Sequence, residues 1–337
     1  MSKRAIIIGG SGQIGMAATA RLLAAGWEVI SAQRHAADAP PGTTGAAFDR
    51  NAPDALKNLI GQGADALIDC IAYTPDQARA HLELQPDLGH LIVISSCSAY
   101  RGEGMGDDAV PGPSMPRFPN PMRETSPRWK VLGDDYASRK AAMEDVLLEG
   151  AKGAMTILRP GAIHGPGCRS PREWWVLQRV LDGRSKILMA NSEALFHTTH
   201  TANIAALIET VLAAPGVRAL NIGDPDVHPA SDLVRMILKA GSAEAEIVSI
   251  AERRKDILGA HPWAPPYPAI MDLTAATALG YRPATSYAAS IAETCQDLLA
   301  RAKGRPWRDA FPGLAPYPDA MFTYEAEDAY LAEGADA

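Results

Sequence analysis

The chain has 337 residues, is 47% hydrophobic and 21% charged, and carries a net charge of -7: room for two domains or one large α/β unit, with no attraction to nucleic acid or anionic membranes expected. No apolar run nears the ~18 residues of a membrane span, and only Ala5 to Ile8 separate Lys3 and Arg4 from Gly9, too little for a signal-peptide core. Cys70, Cys97, Cys168 and Cys295 are scattered without C-x-x-C spacing, which fits a reducing cytoplasm.

The first segment is the most informative. Ile6 to Ile8 read as a fully buried strand, and glycines follow at 9, 12 and 15, with Gly10 as an extra. Ala17, Ala18, Arg21, Leu22 and Leu23 continue at helical spacing, Gly26 stops the helix, and Val29 and Ile30 begin a second strand. Strand, glycine turn, helix and strand is the context that makes such glycines a dinucleotide fingerprint. Gly9 serves the tight turn, Gly12 the approach of backbone to a pyrophosphate, and Gly15 close helix–strand packing, with the helix N-terminus turned to the phosphates. At the end of the second strand, NAD sites usually place Asp or Glu on the adenosine ribose. Here Gln33 and Arg34 stand there. A neutral side chain followed by a guanidinium favours the 2′-phosphate of NADP over NAD.

Further strands are expected at "GAAFD" ending on Asp49, at 64–73, at 90–100, at 154–160 and at 219–223, with helices between them. That alternation implies an α/β fold with a doubly wound, Rossmann-type parallel sheet. Residues 101–130, rich in Gly, Pro, Met and Asp, form a long loop at the strand ends where ligands of such sheets bind. The basic run Arg253, Arg254 and Lys255 reads as a solvated face. The tail from Arg305 holds Trp307, Phe311, Tyr317, Phe322, Tyr324 and Tyr330, so it is expected to pack on something, with its last residues disordered.

Across residues 4–302 the chain resembles the extended short-chain dehydrogenase/reductase family, also called the epimerase/dehydratase family. "GGSGQIG" is similar to its nucleotide loop, "VISSCSAY" to its serine-bearing strand end, and "YASRK" (136–140) to its Y-x-x-x-K. "RPGAIHGPG" (159–167), "HTANIA" (200–205) and "DLTAATALGYRP" (272–283) resemble later family motifs in the expected order. The resemblance implies catalysis by Ser96, Tyr136 and Lys140. It also implies cofactor contacts from Gly9, Gly12, Gln13, Ile14, Gly15, Gln33, Arg34, Asp49, Ala72, Tyr136, Lys140, Pro160 and Ile163. Residues four apart share a helix face, so Tyr136 and Lys140 project into one cleft. There the ammonium and an oxidised nicotinamide are expected to lower the tyrosine pKa, while Ser96 holds the substrate oxygen.

Departures narrow the substrate. Where family members acting on sugar nucleotides carry an arginine for the diphosphate, this chain has Phe196; their nearby Asn is Ala162, and the second Asp of their "HVDD" is Asn203. Cys97 and Ser98 replace the acidic residues of sugar dehydratases, which disfavours elimination. Cys97 reads as buried filler, and His164 as a residue near the cofactor turn able to touch substrate. His197 and His200, three apart in a strand, point to opposite faces, so no metal site is expected.

The expected function is NAD(P)-dependent hydride transfer between nicotinamide and a secondary alcohol or carbonyl. Nucleotide-sugar epimerisation is the alternative, and the apparently complete triad argues against a protein that only binds dinucleotide. Residues 1–165, with 201–223 returning, would bind the cofactor, and 166–200 with 224–304 would form a smaller substrate-binding lobe ahead of the tail 305–337. The partners expected are a small-molecule substrate and a second copy of the chain. The dimer would form through helices at 136–151 and 77–84, with Ala141, Val146, Leu148, Ala80 and Leu84 as apolar surface.

Overall fold

A computed structural model describes residues 2–112, 114–250 and 257–335; the basic run at 253–255 and residues 336–337 lie outside the described residues. In chain order the first elements are β1 (Arg4–Ile8), α1 (Gln13–Ala24), β2 (Glu28–Gln33), β3 (Thr44–Ala47), α2 (Ala55–Ile60), β4 (Ala66–Asp69), α3 (Pro75–Glu83) and β5 (Leu91–Ile94). After the 101–130 segment come α4 (Tyr136–Gly150), β6 (Met155–Pro160), β7 (Ala162–His164), α5 (Trp174–Leu181), β8 (Lys186–Ala190), β9 (Thr198–His200), α6 (Thr201–Ala213) and β10 (Val217–Ile222). The chain ends with α7 (Ala230–Ala240), β11 (Glu246–Ile250), α8 (Thr274–Ala278), α9 (Tyr287–Ala302), α10 (Trp307–Ala310) and α11 (Glu325–Ala335).

A seven-stranded parallel sheet runs β10-β6-β5-β4-β1-β2-β3. Alternate side chains of a strand face opposite sides, and β1 shows why its apolar run is unbroken. Ile7 packs with Ile14, Leu22, Ile204 and Leu207 under α1 and α6. Ile6 and Ile8 pack with Ala78, Met143 and Leu147 under α3 and α4. With helices on both faces, neither can be polar. The order reverses between β1 and β4, which opens a crevice at their C-terminal ends.

Two strands are shorter than the sequence reading. Within 64–73 and 90–100 only Ala66–Asp69 and Leu91–Ile94 are strand. The Asp69 carboxylate accepts from Ile71 N at 2.9 Å, and Ser96 accepts from Ser98 N at 3.1 Å. Each side chain offers the backbone a local turn in place of the ladder.

The remaining elements pack beside the sheet. The pairs β7–β9 and β8–β11 accompany a core of Trp174, Trp175, Leu233, Ile237, Tyr287 and Leu298. Phe311, Leu314 and Met321 of the tail enter this same core. Arg179 on α5 pairs with Glu327 on α11 at 2.6 Å, and Tyr324 donates to Asp182 at 2.6 Å. The aromatic tail thus packs on the C-terminal lobe and includes the helix Glu325–Ala335; the last residues, expected to be disordered, run into 336–337, which lie outside the described residues.

The 101–130 segment is tied down: Trp129 Nε1 donates to Ser98 O at 3.1 Å, and Met122 bridges to Met271. Trp129 also covers Ala141, which is fully buried beside Ala99. This corrects the expectation that Ala141 remains as apolar surface; the loop occupies it.

Candidate active site

The glycine turn is dictated by contacts on every side. Gly9 has φ +82°, and a Cβ there would stand 2.9 Å from Ile71 Cγ2. A Cβ on Gly15 would meet Gly9 O at 2.3 Å, and one on Gly10 would meet Ser31 Oγ at 2.0 Å. Gly10 is therefore required by the packing of the turn on β2. Gly12 has only Gly9 O nearby, at 3.2 Å, and N-caps α1 without a side-chain hydrogen bond. The first turn of α1 holds no acidic residue, so its free N–H groups and positive dipole end face the crevice. Gln13 Oε1 is buried there without a partner, whereas Ile14 turns into the core. This is a cradle for a pyrophosphate, and the residues present fit a dinucleotide.

The other sequence-derived positions divide. Gln33 is buried, its Oε1 accepting from Ser31 Oγ at 2.6 Å, so its side chain is committed to the protein. Arg34 is exposed and makes no ion pair with a described residue. Asp49 is exposed and caps Asn51 N at 3.0 Å. Ala72 lies at the β4 end, Pro160 closes β6, and Ile163 packs against the α1–α6 side of the sheet.

Asp135 begins α4, accepting from Ser138 N at 2.9 Å, which makes Tyr136 the first helical residue. One turn on, Lys140 Nζ stands 5.8 Å from the centre of the Tyr136 ring. Lys140 is 5% exposed and donates to Ala72 O at 2.6 Å and Ile94 O at 2.8 Å. An ammonium has three donors, so one remains. Burial depresses its pKa to about 8, against the favourable fields of Asp69 and Glu144. Tyr136 stacks on Tyr73 at 5.6 Å and is 49% exposed. Its pKa is raised, first by burial of its hydroxyl end, with the Ser96 hydroxyl beside it pulling the other way. Lys140 is drawn to two carbonyls; the expected lowering of the tyrosine pKa counted an oxidised nicotinamide as well as the ammonium and concerns the loaded cleft.

Two buried networks escaped the sequence reading. Asp69 is fully buried at the end of β4 and takes Arg50 and His81, each at 2.6 Å. Burial alone would raise its pKa, but His81, Arg50 and the Ile71 N–H together hold it well below the carboxylate range. Its visible signal was an acid closing an otherwise apolar strand. The second joins α4 to the sheet. Glu144 accepts from Arg159 Nε at 3.0 Å and Nη2 at 2.6 Å, and Arg128 adds a third contact. Arg159 Nη1 donates to Tyr100 at 2.8 Å, and Tyr100 donates to Asn221 at 2.6 Å. Glu144 is one turn beyond Lys140, a spacing that could have marked it.

Other candidates are structural. His164 is 1% exposed and pairs with Asp224 at 2.7 Å, which also receives Thr198 and Asn203. Its ring packs against that of Tyr287, with centroids 4.7 Å apart. His197 and His200 take separate contacts around Asp224. Cys97 is buried among Tyr100, Phe118 and Met122, and burial pushes its thiol to about 11.

A model of the NAD dependent epimerase/dehydratase family matches residues 5–223. The chain is 23% identical over 235 residues to the 2′-dehydrokanamycin reductase of Streptomyces kanamyceticus, a match covering 67% of this chain and 62% of that one. The chain thus spans less than two thirds of that relative's length. Two solved structures share the fold. The dTDP-glucose 4,6-dehydratase of Bacillus anthracis in complex with NAD aligns with TM-score 0.65 at 15% identity, over 91% of this chain and 98% of that one. The Bordetella bronchiseptica enzyme WbmH in complex with NAD+ aligns with TM-score 0.67 at 18% identity, over 90% and 100%.

Glu144→Gln leaves the Arg159 guanidinium buried without its counter-ion, and breaking such a pair costs about 3–5 kcal/mol. Urea unfolding should show that loss; a variant as stable as wild type would mean the pair does not hold α4.

Proposed function

This chain belongs to the NAD dependent epimerase/dehydratase family, and on that basis we propose that it is an oxidoreductase moving a hydride between NADP and a secondary alcohol or its carbonyl. The observation that carries the reading is the placing of Tyr136 over Lys140 at 5.8 Å with the Ser96 hydroxyl beside the phenol. When bound, the nicotinamide supplies or accepts the hydride. Ser96 holds the substrate oxygen against Tyr136. The phenol, its pKa raised, enters the reduction as the protonated acid and gives its proton to the developing alkoxide. Lys140 offers its remaining N–H to the nicotinamide ribose and places a positive charge behind the tyrosine as it deprotonates.

The relative named as a reductase agrees with net reduction. Nucleotide-sugar epimerisation is the second reading, supported by the likeness to the dTDP-glucose enzyme; Phe196 and Ala162, in place of the diphosphate-binding residues, weigh against it. Residues 1–165 with 201–223 form the cofactor half in this reading, and 166–200 with 224–304 the substrate half. Four free cysteines accord with a cytoplasmic setting.

Tyr136→Phe should lower turnover by about 10²–10⁴-fold and leave cofactor affinity, read by nucleotide fluorescence, nearly unchanged. Wild-type rates in this variant would contradict the assignment. Reduction should also decline as pH rises through about 8, where Lys140 loses its proton while Tyr136 keeps its own. A profile flat across that point would remove Lys140 from the mechanism.

Arg34, with Gln33 neutral beside it, is the proposed reader of the 2′-phosphate. Arg34→Ala should weaken NADPH more than NADH by about 10–100-fold, the worth of a charge-assisted hydrogen bond; equal wild-type affinities for the two cofactors would sink the preference. We also propose a homodimer through α3 and α4, where Ala80, Val146 and Leu148, with Leu84 just past the end of α3, are only half-buried. Light scattering at micromolar concentration should give twice the chain mass, and a monomer mass would count against it.

A further inference from the structure

Arg172 lies in the turn before α5, and its guanidinium carbon stands 5.4 Å from the centre of the Phe196 ring. Its Nε is buried with no hydrogen-bond partner, and it makes no ion pair with a described residue. Several other arginines drawn below the surface pair with an acid: Arg101 with Asp107, Arg128 and Arg159 with Glu144, Arg179 with Glu327. Glu173, the next residue, leaves Arg172 unpaired and instead accepts from Tyr287 at 3.5 Å. A half-buried guanidinium loses hydration, and an aromatic face compensates only part of that loss.

Its location says what it is for. Phe196 packs against the cluster of Cys97, Tyr100, Phe118 and Met122, and Cys97 directly follows Ser96. The positive field of Arg172 reaches the Cys97 thiol. The unpaired cation therefore lies near the residue that follows Ser96, and its field also reaches the Cys168 thiol. Phe196 occupies the position of the expected diphosphate-binding arginine, and a guanidinium from a different element lies over its ring.

We propose that Arg172 is a specificity-determining residue that binds an oxyanion of the substrate, so that the carbonyl compound reduced here carries a carboxylate or phosphate group. The planar fork of a guanidinium matches both groups through paired hydrogen bonds. The proposal rests on the oxidoreductase reading for the reaction, but not for the anion site itself.

The test compares NADPH-dependent rates on acetoacetate with methyl acetoacetate, and on dihydroxyacetone phosphate with dihydroxyacetone. Wild type should favour an anionic member by roughly 10–100-fold in kcat/KM. Arg172→Gln should lose that preference while keeping its rate on the neutral partner, and Arg172→Lys should retain part of it. Preference within one pair only identifies the oxyanion as carboxylate or phosphate. Separately, inorganic phosphate or malonate should raise the Tm of the NADPH-bound wild type and not that of Arg172→Gln. If the Tm response follows this pattern while no carbonyl is reduced, the anion site stands and the assigned reaction falls. Equal rates on charged and neutral members, or a Tm response unchanged in Arg172→Gln, would overturn the proposal.

Discussion

The buried pair between Glu144 on α4 and Arg159 on β6 ties the helix that carries Tyr136 and Lys140 to the sheet. Both side chains are essentially inaccessible, and burying two charges is expensive unless every hydrogen-bonding group is met. Here the geometry meets them: Arg159 reaches Glu144 with two nitrogens and Tyr100 with the third. Tyr100 leads on to Asn221 on β10, and the Asn221 backbone N–H donates to the Glu124 carboxylate at 2.9 Å. Helix α4, the 101–130 segment, β6 and the edge strand β10 are thus joined by one set of contacts.

The crevice itself is organised by charge placed in layers. Asp69 lies deepest and is compensated by Arg50 and His81. Above it Lys140 spans the carbonyls of Ala72 and Ile94, which brings the ends of β4 and β5 under one ammonium. The α1 N-terminus adds a positive end with no acid in its first turn. Burial disfavours the charged form of both Lys140 and Tyr136, the ammonium and the phenolate.

Much of this was legible in the residues. The glycine turn, the unbroken apolar strands and the i, i+4 placement of Tyr136 and Lys140 are local patterns with one physical reading each. Segments whose fate depends on distant partners were less readable. Strands β4 and β5 end early because Asp69 and Ser96 cap the backbone. Ala141 is buried because Trp129, twelve residues away in sequence, folds back over it. Gln33 stood at the ribose position by spacing, whereas the bond its Oε1 accepts from Ser31 was not readable in the chain. Arg172 gave no pattern at all; its lack of a partner is visible only when its neighbours are in place.

The central claim is that Tyr136, Lys140 and Ser96 support net hydride transfer rather than a transient one. Following the near-ultraviolet absorbance of reduced nicotinamide while quantifying product addresses it directly. The account predicts loss of that absorbance mole for mole with carbonyl reduced to alcohol. Formation of an epimerised product from a nucleotide sugar, with no net change in absorbance, would contradict it.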